Sequence, residues 1–75
     1  MAGRVVFYTE PGCHLCEDAR GLLDGWGIDF EVVESDPRYV IRVPVIELEG
    51  VVIAEAPVDE RALARALGIR RRRRA

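Results

Sequence analysis

Cys13 and Cys16 are the only cysteines of this 75-residue chain, three apart in Cys13-His14-Leu15-Cys16. They follow a short apolar run and head a helix-like pattern, the placement of a dithiol redox site. On a helix, residues three apart share a face with β-carbons about 5–6 Å apart, close to what a disulfide spans. The two sulfurs can therefore bond or part with little backbone movement. Exchange proceeds by attack of a thiolate on a disulfide sulfur through a mixed disulfide. Cys13, at the helix tip where free N–H groups and the dipole favour negative charge, is the expected nucleophile. Cys16, one turn deeper, is the expected resolving thiol. The helix terminus and a protonated His14 stabilise the Cys13 thiolate, whereas Glu10, Glu17 and Asp18 oppose it. The expected balance is a pKa below the ordinary value of about 8.5, short of the lowest known.

A strand, a turn and a helix must position this pair. Arg4 to Tyr8 reads as a strand, nearly continuous in apolar character and so expected in the sheet centre with both faces covered. Thr9-Glu10-Pro11-Gly12 reads as a turn. A helix is predicted from about Cys13 to Trp26, with Cys16, Ala19, Leu22, Leu23 and Trp26 at spacings of three and four. Gly25 and Gly27 end it. Ile28 to Val33 alternates as an edge strand would, and Glu34 to Tyr39 leaves room for a turn or one helical turn. Val43 to Leu48 is the third strand, Glu49-Gly50 a two-residue hairpin turn, and Val51 to Ala54 the fourth strand. A last helix opens near Pro57 to Asp59, turns Leu63, Ala66 and Leu67 inward, and stops at Gly68. A β-α-β unit closes right-handed with parallel strands. The fold class is therefore α/β, a minimal β-α-β-β-β-α with a four-stranded mixed sheet in the order 2-1-3-4, helices on its faces and a shortened link before the third strand.

Composition bounds what such a domain does. Hydrophobic residues make up 49% and charged residues 32% of the chain, values of a globular domain, and no apolar stretch nears the roughly 18 residues of a membrane span. A soluble domain is expected. Met1-Ala2-Gly3-Arg4 leads into the first strand without an export-type segment, so a cytoplasmic location is expected, where a lone cysteine pair is more often catalytic than structural. Residues 1–68 read as one domain and residues 69–75 as an arginine-rich tail expected to be disordered. All eleven basic residues are arginine, and five form the run Arg70 to Arg74. Without that run six arginines face thirteen acids, a formal charge of −7. Such a body repels phosphates, so the tail is read as solvated chain rather than a nucleic-acid site.

Taken together, Phe7-Tyr8-Thr9, Pro11-Gly12-Cys13, Cys16 and Val43-Pro44-Val45 resemble the glutaredoxin branch of the thioredoxin superfamily, over about Arg4 to Leu67. The resemblance implies a thioredoxin-like fold, a glutaredoxin-like thiol–disulfide oxidoreductase activity with Cys13 and Cys16 catalytic, and a cis Val43–Pro44 peptide beside the sulfurs. It also implies substrate contacts at Tyr8, Pro11, His14, Arg42, Val43 and Pro44, the Val43 backbone pairing with an extended substrate as in strand addition. A proline suits that place, because it lacks an N–H for a ladder and only X-Pro bonds take cis at modest cost. Implied partners are disulfide-containing proteins or small thiols, with glutathione or a reductase as electron donor; a monomer with no resident cofactor or metal is expected. Three features depart from the glutathione-using pattern. Glu10 stands near where a lysine is usual, Glu55-Ala56-Pro57-Val58-Asp59-Glu60 replaces a Gly-Gly and acidic pair, and the link before Val43 is short. These departures point to the compact glutaredoxin-like and redoxin proteins.

The rival reading of the same cysteines is a metal carrier, for copper or an iron–sulfur cluster. A structural zinc site takes four protein ligands, and only Cys13, Cys16 and His14 are at hand, the last adjoining Cys13. Copper chaperones carry Met-x-Cys-x-x-Cys and end in a strand; this chain has Pro11-Gly12 before Cys13 and is expected to end in a helix. His14 also reads as a solvated residue, Glu17 and Asp18 as ordinary helix N-terminal acids, and Tyr8 and Trp26 as core or rim aromatics.

Overall fold

The computed structural model describes residues 3–69. The arginine run, and with it nearly all of the proposed tail, lies outside them. In chain order the elements are β1 (Val5–Thr9), α1 (His14–Trp26), β2 (Glu31–Glu34), β3 (Val45–Leu48), β4 (Val51–Glu55) and α2 (Glu60–Leu67). The sheet runs β2-β1-β3-β4, with β1 parallel to β2 and antiparallel to β3, and β3 antiparallel to β4. This is the four-stranded mixed sheet expected.

All five residues of β1 are buried, as a central strand with both faces covered requires. Successive side chains take opposite faces, and each face has its own core. Val5, Phe7 and Ile46 pack with Cys16, Ala19 and Leu23 of α1 and Leu63 of α2. Both helices therefore pack on one face of the sheet. The opposite core is Val6, Tyr8, Val45 and Tyr39. Tyr39 comes from the link, which forms turns through Tyr39 N–H to Asp36 O at 2.9 Å and Arg42 N–H to Tyr39 O at 2.8 Å. Built of turns rather than a helix, the link covers this face with an aromatic ring.

Two strands begin later than their sequence pattern. Gly27 closes α1 in the left-handed region, φ 71°, with its N–H on Asp24 O, where the absence of a Cβ matters. Ile28 and Phe30 then pack against the helical core as a connector, Phe30 meeting Phe7 edge-on at 6.0 Å. Ladder pairing starts only at Glu31, opposite Val6, so the alternation at residues 28 and 30 marks burial rather than strand. β3 starts at Val45 because Pro44 has no N–H to give. The hairpin turn is as expected: Glu49 and Gly50 both have positive φ, 53° and 80°, the pattern of a type I′ turn. Glu49 is held there by Arg4, whose N–H donates to its Oε2 at 2.8 Å and whose carbonyl accepts its N–H.

Candidate active site

β1 delivers the cysteine pair. Its last residue, Thr9, is followed by a turn in which Gly12 has φ 76°. Nothing lies within 4 Å of where a Cβ would stand, so the demand at Gly12 is conformational, that of a type II turn after proline. The turn sets Cys13 as the N-cap of α1. Its Sγ accepts the Cys16 N–H at 3.1 Å, the place an oxygen acceptor takes in an ordinary cap. Cys13 and Cys16 are joined as a disulfide with Cα atoms 5.1 Å apart. Cys16 is 1% exposed and part of the core, whereas Cys13 is half-buried and His14 and Leu15 are exposed. One sulfur faces outward on a donor N–H and the other lies a turn inside.

The antiparallel register places Val45 opposite Tyr8. Pro44 consequently reaches the end of β1 from which the cysteine turn departs. Pro44 is fully buried, its peptide with Val43 is cis, and Val43 packs against both cores. Arg42 donates to Oε1 of Glu55, the last residue of β4, through Nε at 2.9 Å and through Nη2. Pro11 is exposed in the turn before Cys13. Among the described residues no three His, Cys, Asp or Glu side chains converge as metal ligands. A cavity of about 510 Å³ is lined by Val5, Ile28, Phe30 and Leu67 and includes neither cysteine.

A comparison with family profiles decides the relationship: the glutaredoxin profile matches residues 5–53. The chain belongs to the glutaredoxin family. No curated protein shows significant similarity to it. Among solved structures it is similar to the crystal structure of the glutaredoxin grx-1 of Archaeoglobus fulgidus, at TM-score 0.66 and 23% identity, over 87% of this chain and 85% of that one. That likeness bears out the thioredoxin-like fold. The glutaredoxin family, the fold and the Cys-x-x-Cys pair together support a thiol–disulfide oxidoreductase role.

Two features of this glutaredoxin differ from what its sequence suggests. Tyr8 does not border the sulfurs. It points to the face away from the helices, where its hydroxyl donates to Glu47 Oε1 at 3.0 Å and its ring meets Tyr39 edge-on at 4.7 Å. The Tyr8 ring is buried in the second core. Glu47, which no motif marks, is a buried carboxylate, 7% exposed. It also accepts the Tyr39 hydroxyl at 2.6 Å, and Arg38 Nη2 donates to the Tyr8 hydroxyl at 3.2 Å. Burial and the bond to Glu47 raise the Tyr8 phenol above its ordinary pKa; for Tyr39 the bond to Glu47 leads and burial follows. The available signal was a lone acid between Ile46 and Leu48 in a strand otherwise apolar.

Glu10 turns toward the β2 side of the sheet. Ser35 Oγ donates to its Oε1 at 3.1 Å, and Ser35 N–H binds Thr9 O at 3.0 Å. The loop before Cys13 is thereby tied to the end of β2.

Proposed function

We propose that this protein is a dithiol oxidoreductase that reduces disulfides of proteins or small molecules. The observation that carries the reading is a Cys13 sulfur, half-exposed, accepting a helix N-terminal N–H, with buried Cys16 one turn away. In the reduced protein the Cys13 thiolate attacks one substrate sulfur. The substrate S–S bond breaks, and its other sulfur leaves as a thiolate that takes a proton from solvent. The Cys16 thiolate then attacks Cys13 Sγ of the mixed disulfide, releasing the second substrate thiol and closing the Cys13–Cys16 bond. Two electrons pass to the substrate. An external thiol, glutathione or a dithiol reductase, restores the pair.

Protein disulfides are the preferred class in this reading. Leu15, between the cysteines, is 53% exposed, and Val40 and Ile41, in the segment leading to Pro44, are 43% and 91% exposed. Apolar side chains in contact with water near a reactive bond favour a partner with an apolar surface of its own. The experiment is reduction of a model protein disulfide, run with glutathione plus its reductase and with thioredoxin reductase. Turnover is expected in one arm at least, none in Cys13→Ser, and an accumulating mixed disulfide in Cys16→Ser. Electron transfer by Cys13→Ser at the wild-type rate ends the proposal.

A further inference from the structure

We infer that Glu47, acting through the Tyr39 phenol, positions the Pro44 segment for the substrate, so that Glu47 and Tyr39 are positioning residues of the exchange reaction. The inference rests on the oxidoreductase reading above. The segment between β2 and β3 has no helix or strand of its own, and two of its few internal backbone bonds are the turn bonds at Tyr39 and Arg42. Beyond the Ser35 N–H on Thr9 O at its start, its hold on the sheet comes from side chains. Tyr39 buries its ring on Tyr8 and gives its hydroxyl to Glu47. Arg38 lies over both rings, 5.6 Å from the Tyr8 centroid and 4.9 Å from that of Tyr39, and reaches the Tyr8 hydroxyl. Arg42 stands 5.5 Å from the Tyr39 centroid.

A carboxylate buried on a sheet face is costly unless donors meet it. Here two phenols do, one on each oxygen. Tyr8 is fixed within β1, so of the two bonds on Glu47 it is the Tyr39 one that ties the segment to the sheet, between Arg38 on the Tyr8 hydroxyl and Arg42 on Glu55. An apolar residue at position 47 would bury as well but would accept a ring in many orientations; the carboxylate accepts the hydroxyl in one. The Arg42 N–H on the Tyr39 carbonyl passes that placement along the chain to Arg42, Val43 and Pro44.

The experiment compares Tyr39→Phe, Glu47→Gln and their double variant with Ile46→Val, which loosens the helical core on the other face and leaves the Tyr39–Glu47 bond intact. In Tyr39→Phe, KM for a protein disulfide is expected to rise about fivefold, the size of one lost hydrogen bond, with kcat and the pH profile of Cys13 alkylation unchanged. Amide exchange at Tyr39 and Arg42 is expected to quicken about tenfold while that of Phe7 and Ile46 holds, a local opening. Glu47→Gln keeps an acceptor and is expected to fall between, and the double variant to be no worse than Tyr39→Phe. An equal rise of KM in Ile46→Val, or uniform quickening of all amides, overturns the inference. If the wild-type protein reduces no disulfide, the oxidoreductase reading falls, and exchange at Tyr39 and Arg42 alone decides whether the anchor exists.

Discussion

Cys13 does two jobs with one atom: its sulfur caps α1 and is the group proposed to attack. As a thiolate it would keep the Cys16 N–H as a donor, and charge-assisted bonds of this kind are stronger than neutral ones. Among the described residues no arginine is assigned to this thiolate: Arg42 is taken up by Glu55 and Arg38 by Asp36. Alkylation rate against pH is expected to show a midpoint below the ordinary thiol value of about 8.5. A midpoint at or above it would mean that Glu17 and Asp18 outweigh the helix terminus. This part of the site was legible beforehand, because spacing, a preceding turn and a following periodic stretch are all local. The environment of Tyr8 was not. Which face of β1 the helices cover depends on the whole topology, and a one-residue change of face moves a side chain from one core to the other.

At the scale of elements, the caps carry their own chemistry. Asp59 opens α2 by accepting the N–H groups of Arg61 and Ala62. Gly68 closes it with φ 73°, and the Ile69 N–H reaches Ala64 O at 2.8 Å. α2 is short and is retained by Leu63 in the core with Leu67 and Val58 packed beside it. Asp59→Ala is expected to lower unfolding free energy by about 0.5–2 kcal/mol, measured by denaturant titration with unchanged slope. A change below that range would place the burden on Leu63 packing. Element types, order and stops were all readable from periodicity and from the glycines at 27, 50 and 68. The start of β2 was misread because packing of a connector mimics strand alternation, and the cis peptide at Ala56–Pro57 carried no sequence signal that set it apart.

For the molecule as a whole, the sheet separates an apolar core under two helices from a second core built around a carboxylate and two phenols. The second makes stability sensitive to alkali. Both tyrosines of the chain hold their protons beyond the ordinary phenol value of 10.0, so the folded state binds protons that the unfolded state has lost. Their contribution is complete below about pH 10 and declines as pH climbs toward the folded-state values. Titration of phenolate absorbance is expected to place both midpoints above 10 in the native protein and to return them to the ordinary value in denaturant. A native midpoint at or below 10 for either ring would show that Glu47 does not hold it.

The cysteine pair, its turn and the order of elements were determined by the sequence alone, since each follows from residue types a few positions apart, and the strand order follows from these through the right-handed crossover. What covers the second face, why a glutamate lies buried in β3, and where Arg42 and Tyr8 spend their polar groups were decided only by the tertiary structure. Burial and hydrogen-bond partnership join residues far apart along the chain, such as Tyr8 and Glu47, and no local pattern records such a pairing.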